Sequence, residues 1–209
     1  MITLEGNPIL SSWYFTNSTC GKIENLIDWK NSNLAFLGTP KLFKWFSNKK
    51  IGKRRLLVDL DDHVLNSLSK KSQKSDTLIK HDLRVSLSNK NLSNYDFIFI
   101  DPPWYYDEYI IWINRALELY KEGNIILSLF PELTRPAAIE QRSSLISLIR
   151  ESSRCTLLLT DFLEYEVPTF EAAQLEAQGL KNPQNWKQVD LVIVNELEGE
   201  VTCLSESCK

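Results

Sequence analysis

The stretch YDFIFIDPPWYYDEY, from Tyr95 to Tyr109, decides how this chain reads. Phe97 to Ile100 form a continuous apolar run, the pattern of a strand covered on both faces. It stops abruptly at Asp101-Pro102-Pro103-Trp104. Neither proline has an N–H to donate, so the pair ends any ladder and fixes φ at two successive positions. A helical pattern follows at once in YDEYIIWINRALELYKEG: Ile110, Ile113, Ala116, Leu117 and Tyr120 share one face, and Gly123 stands where a C-terminal stop is expected. Strand, rigid bracket and helix follow one another without a loop.

Working outward, the same alternation recurs. Residues 33–38, 54–60, 76–83, 95–101, 124–130, 154–165 and 189–195 read as seven strands. Between them DHVLNSLS and RPAAIEQRSSLISLIRESS, with Pro136 near its start, read as helices. This rhythm predicts an α/β fold around a parallel sheet. Ligands of such sheets bind beyond the carboxyl ends of the strands. That selects Gly38-Thr39-Pro40, Asp59 and Asp61, Asp82, and Asp101 onward. Asp59, which ends its apolar run, is the preferred acceptor for ribose hydroxyls, with Asp61 as rival; a helix N-cap role suits Asp61 or Asp62 better. Asp82 is placed either to accept from an adenine amino group or to make a surface turn. Gly38 stands alone, without a GxGxxG loop. This argues against NAD and ATP and leaves a nucleoside-type cofactor without phosphates.

Composition sets the bounds. With 209 residues, 43% apolar and 24% charged, the chain reads as one soluble domain. Cys20, Cys155, Cys203 and Cys208 form no CxxC pair and there are only two histidines, so no metal site is expected. The N-terminus lacks the form of a signal peptide and there is no long apolar run. A cytoplasmic location and no membrane partner are the expectations. The net charge of −3 conceals an asymmetry: residues 41–90 hold 13 Lys/Arg against 5 Asp/Glu, and residues 107–209 hold 9 against 17. The basic segment 41–90 reads either as a solvated face or as a patch for phosphate contact, in which Trp45 and Phe46 would stack on single-stranded bases.

The Asp101 carboxylate and the Pro102 carbonyl make two adjacent acceptors, which suits the two N–H groups of a primary amine. Trp104 offers a flat wall for a base or an alkylammonium group. Asp107 and Glu108 could take a proton from a charged amine, or serve as N-terminal helix acids. Glu132 and Arg135, after the fifth strand, read as substrate contacts or as a helix-entry charge pair.

DPPW after a fourth strand resembles the (Asn/Asp/Ser)-Pro-Pro-(Tyr/Phe/Trp) motif of S-adenosylmethionine-dependent amino-methyltransferases. These include N6-adenine methyltransferases and the N6-adenine methyltransferase-like family, some members of which methylate protein lysine. SWYFTNSTCGKIENLI resembles the Phe-Thr segment that holds the cofactor's methionine end, which makes Tyr14, Phe15 and Thr16 cofactor-site candidates; a helix N-cap with an aromatic staple explains them equally. NLAFLGTPKLF falls at the family's glycine-rich first motif but keeps one glycine; the lysine-methylating branch also tends to lack that glycine run, so the departure leans towards that branch. The resemblance, which spans roughly residues 11–130, implies a Rossmann-like class I fold with a seven-stranded, mostly parallel sheet and helices on both faces. It implies residues 1–32 as a segment contributing to the cofactor site, 33–200 as the catalytic domain and 201–209 as a tail. It further implies transfer of a methyl group from S-adenosylmethionine to adenine N6 of nucleic acid or to a protein lysine. The catalytic set would be Asp101, Pro102, Pro103 and Trp104. The cofactor set would be Tyr14, Phe15, Thr16, Gly38, Asp59, Asp61 and Asp82. A non-catalytic binding subunit and an aminopropyl-type transferase are the alternatives.

Overall fold

The computed structural model describes residues 13–87, 92–132, 134–179 and 187–197. Seven strands make one sheet: β1 (Asn33–Leu37), β2 (Arg54–Asp59), β3 (Asp76–Lys80), β4 (Tyr95–Ile100), β5 (Tyr120–Leu129), β6 (Ser153–Tyr165) and β7 (Lys187–Leu197). Their order is β3-β2-β1-β4-β5-β7-β6. The first five run parallel, and β7 lies antiparallel between β5 and β6. The direction of winding reverses between β1 and β4, so their carboxyl ends open a crevice.

Among the described residues six helices accompany the sheet: α1 (Asn17–Glu24), α2 (Pro40–Asn48), α3 (Asp62–Ser69), α4 (Tyr106–Leu119), α5 (Ala138–Glu151) and α6 (Thr169–Ala177). β1 shows why both faces are covered. Leu34 and Phe36 point into a cluster with Phe43 and Phe46 of α2 and Val64, Leu65 and Leu68 of α3. Ala35 and Leu37 point the other way, to Tyr109, Ile113 and Ala116 of α4 and Leu145 and Ile149 of α5. A period of two along a strand with no polar face requires this double cover.

One sequence expectation is corrected. Gly123 does not stop α4; the helix ends at Leu119 and Tyr120 is already extended at the start of β5. Gly123 instead sits at φ +121° beside an irregularity in the β4–β5 pairing between Tyr95 and Phe97. Its missing side chain is required, because an added Cβ would lie 1.9 Å from the backbone oxygen of Asp96. No helix among the described residues is long and apolar enough to cross a membrane.

Part of the basic segment is engaged with the protein itself. Arg55, 2% exposed, donates to Asp76 Oδ1 at 2.6 Å and to the carbonyls of Ile51 and Gly52 at 2.8 and 3.0 Å. Lys41, Lys49, Lys80 and Arg84 pair with Glu166, Glu24, Asp62 and Glu108. Phe46 is fully buried, so packing withdraws it from the stacking expected of this pair, whereas Trp45 is half-buried and donates its Nε1–H to Glu24.

Candidate active site

At the carboxyl ends of the parallel strands lies a cavity of about 780 Å³. Its wall takes Gly38 from the end of β1, Asp59 from β2, His81 and Asp82 after β3, and Asp101 to Trp104 after β4. The four strand ends singled out by sequence therefore converge on one space.

Asp59 lines the cavity. Its Oδ1 accepts the Asp61 N–H at 2.9 Å, and burial pushes the carboxyl up to about 6 against the pull of that hydrogen bond. Asp61, its rival, is absent from the wall. It caps α3, accepting the N–H groups of His63 and Val64 at 2.8 and 3.4 Å. An Asp at an N-cap satisfies donors that would otherwise be orphaned, and this geometry holds its carboxylate away from the cavity. Asp82 Oδ1 accepts the N–H of Arg84 at 2.9 Å, so it makes a tight turn and also borders the cavity.

Gly38 has φ +63°, and an added Cβ would lie 2.6 Å from the Trp112 ring. Trp112, on α4, is held there by its Nε1–H, which reaches Glu108 Oε2 at 3.2 Å; Glu108 Oε1 in turn accepts from Arg84 Nε at 3.0 Å. Glu108 thus acts as a strut across the wall, while Asp107 does not line it.

Of the N-terminal trio, Tyr14 borders the cavity, joined by Trp13. Phe15 and Thr16 do not. Phe15 is buried against Tyr165, ring centroids 5.0 Å apart, and Thr16 caps α1 through the N–H of Thr19 at 3.1 Å. These two frame the site from behind because their segment is laced to β6: Phe15 bridges Tyr165, Thr16 N–H reaches Glu164 O and Glu166 N–H reaches Tyr14 O, each at 2.8 Å. Residues 1–12 and 198–209, and with them the whole of the expected tail 201–209, lie outside the described residues.

The bracket itself is braced from three sides. Ser128 Oγ, from β5, and Tyr165 Oη, from β6, both donate to Asp101 Oδ1, the latter at 2.6 Å. Burial pushes Asp101 up to about 6, while these two hydroxyls pull it down. Arg135 donates to the Trp104 carbonyl and lies over the Phe130 ring at 4.7 Å, so it clamps the turn. Glu132 is mostly exposed, 3.7 Å from Arg142, and is not part of the wall. Trp13, Trp104 and Tyr165 meet one another at centroid distances of 6.1, 6.3 and 5.9 Å and form an aromatic flank. Trp13, Ser128, Trp112 and Tyr165 carried no local signal in the sequence; only Tyr165, at the end of its apolar run, sat where a strand-end rule could have pointed.

Comparison with known proteins bears on the fold and the family. The chain resembles, at TM-score 0.77 and 14% identity, the branched-chain polyamine synthase of Thermus thermophilus, solved in complex with N4-aminopropylspermidine and 5'-methylthioadenosine; the match covers 97% of this chain and 63% of that one. It also resembles an S-adenosylmethionine-dependent methyltransferase of Mesorhizobium loti, at TM-score 0.56 and 14% identity over 84% of this chain and 95% of that one. These likenesses establish the class I methyltransferase fold. In sequence, 76 residues are 38% identical to an uncharacterized protein of Methanocaldococcus jannaschii, a match that spans 34% of this chain and 19% of that protein. Residues 7–182, which include the bracket, Gly38 and the acidic strand ends, match a single family along their whole length, and by that match the chain belongs to the probable N6-adenine methyltransferase family.

Proposed function

We propose that this protein transfers the methyl group of S-adenosylmethionine to an amino nitrogen, of adenine in nucleic acid or of a protein lysine. The observation that carries the reading is that the Asp101–Trp104 bracket and the Gly38, Asp59 and Asp82 strand ends line one cavity. The space suits a nucleoside-sized cofactor, whose sites commonly run to several hundred Å³. The Gly38 cradle, which a single Cβ would fill, gives the close backbone approach that such a ligand needs.

Asp59 would hold the ribose hydroxyls, Asp82 the base, and Gly38 with Tyr14 the amino-acid end. Bound there, S-adenosylmethionine supplies an electrophilic methyl on a cationic sulfur. The protein's part is positioning. Asp101 and the Pro102 carbonyl would accept the two N–H groups of the incoming neutral amine and so orient its lone pair for attack; S-adenosylhomocysteine would leave and the proton lost from nitrogen would pass to solvent. Trp13, Trp104 and Tyr165 shield that point from water. Acceptance requires the ionised form of Asp101, which predominates at neutral pH even after burial has raised its pKa to about 6.

Calorimetric titration with S-adenosylmethionine tests this. The expected result is micromolar binding, weakened roughly ten- to hundredfold in Asp59→Ala, the loss of a hydrogen bond to a charged acceptor. Gly38→Ala should weaken it by roughly tenfold or more, because Trp112 must swing off Glu108 to admit the methyl. No binding at millimolar cofactor would overturn the reading in favour of a non-catalytic subunit.

The similarity to a polyamine synthase, together with Asp59, Asp82, Asp101 and Glu108 around the cavity, favours a second reading: transfer of an aminopropyl group to a polyamine. Mass spectrometry of products formed from S-adenosylmethionine and from its decarboxylated form, with spermidine as acceptor, separates the two.

A further inference from the structure

The bracket's carboxylate is asymmetrically held. Oδ1 of Asp101 accepts both hydroxyls that reach it, from Ser128 and Tyr165, and a carboxylate oxygen has two lone pairs to offer. Oδ2 has no hydrogen-bond partner among the described residues, although Asp101 lines the cavity. Ser128 comes from the neighbouring strand β5, but Tyr165 comes from the far edge of the sheet, 64 residues along the chain.

Tyr165 is unusually constrained for so distant a residue. Its ring lies 5.0 Å from Phe15, 5.9 Å from Trp104 and 6.3 Å from Trp13, centroid to centroid. Its backbone neighbours on both sides are bonded to the N-terminal segment, and Thr19 Oγ1 accepts the Glu164 N–H at 2.8 Å. The hydroxyl is therefore held against Asp101 by the sheet edge and the N-terminal segment laced to it. We infer that Tyr165 is a positioning residue: with Ser128 it locks Oδ1 of Asp101, so that Oδ2 alone is presented to the acceptor amine, in the ionised, purely accepting form. The assignment rests on the reading of Asp101 as the amine's acceptor.

The physical consequence is twofold. A free carboxylate could rotate and offer either oxygen; with both lone pairs of Oδ1 used, it cannot do so without breaking two charge-assisted bonds. Donors to the charged form also favour ionisation, and so oppose the burial that raises this group. The groups that face Asp101 are Tyr109 from α4, Ser128 from β5 and Tyr165 from β6, with Asp59, Glu108 and Arg135 around the same cavity. Among them Tyr165 and Ser128 alone donate directly to the carboxylate.

Carbon-13 NMR of protein labelled at aspartate carboxyl carbons tests this without cofactor or acceptor. Asp101→Asn assigns the resonance, which should titrate near 6 in the native protein. In Tyr165→Phe, which keeps the ring and its aromatic contacts, the midpoint should rise by about one pH unit. Site-specific 3-fluorotyrosine at position 165, a stronger donor that disturbs no packing, should move it down. A residue serving structure alone would change the melting temperature and leave both midpoints in place, and that result overturns the inference. Calorimetry with S-adenosylmethionine decides the methyltransferase reading separately, so failure of either can be told from failure of the other.

Discussion

Asp101→Ala is expected to lower methyl transfer by roughly 10²- to 10³-fold while leaving affinity for S-adenosylmethionine within a few-fold of native. The split follows from where the carboxylate sits. It closes the β4 end of the cavity, against Ser128 and Tyr165, whereas the proposed cofactor contacts lie at the ends of β1, β2 and β3. Truncation removes the acceptor that orients the amine and strands two hydroxyls, so the loss appears in turnover more than in cofactor binding. Tritium from labelled cofactor, counted in a cell lysate split between nuclease and protease digestion, measures the effect and names the acceptor class. Unchanged labelling would sink the bracket's role. Native activity should also rise through pH 6, because a protonated Asp101 donates where it must accept.

Stability should move the opposite way over the same range. The folded pKa of Asp101, about 6, lies above the roughly 3.9 of an unfolded aspartate, and Asp59 is raised likewise. Between these values the folded state binds more protons than the unfolded one. Stability contributed by these two groups is therefore full below about pH 4 and is lost as pH rises through about 6. Site groups held at odds with stability in their working state are a usual sign of function.

Gly123→Ala should be among the most destabilising single changes in the protein, costing roughly 2–6 kcal/mol from backbone strain and forced displacement together. The position has φ +121°, and the new methyl would meet the Asp96 carbonyl oxygen at 1.9 Å. A backbone atom cannot turn aside as a side chain can. Asp96 is itself tied in, since its carboxylate accepts the Asn33 N–H at 2.7 Å, so displacement there pulls on β1 as well. Thermal unfolding should show a fall of roughly 5–20 °C. Gly179→Ala is the control: it shares a positive φ of +70° but an added Cβ meets nothing within 4 Å, so only the strain is incurred.

The two glycines show where sequence reading succeeds and where it stops. Gly38 was legible because a lone glycine at the end of an apolar run, in a chain of alternating strands and helices, has a rule attached to it. Gly123 was misread because a glycine after a helical pattern satisfies the helix-stop rule just as well as it fits a sheet irregularity. Only the pairing of Tyr95 with Tyr120 decides between them. Asp59 and Asp61 divide in the same way. Both end the second strand in sequence, and it is the start of α3 that claims one for capping and leaves the other to the cavity.

By itself the sequence determined the seven strands, the double cover of the sheet, the rigid Asp-Pro-Pro-Trp turn and the strand ends that meet at the cavity. All of these rest on local periodicity, on the covalent limits of proline and on one topological rule, which neighbouring residues carry between them. The tertiary structure alone decided that Tyr165 and Ser128 hold Asp101, that Trp112 fills the space over Gly38, and that Phe46 and Arg55 serve the protein's own packing. Those contacts join residues tens of positions apart. Their energies depend on distance and burial, and these do not exist until the chain has folded.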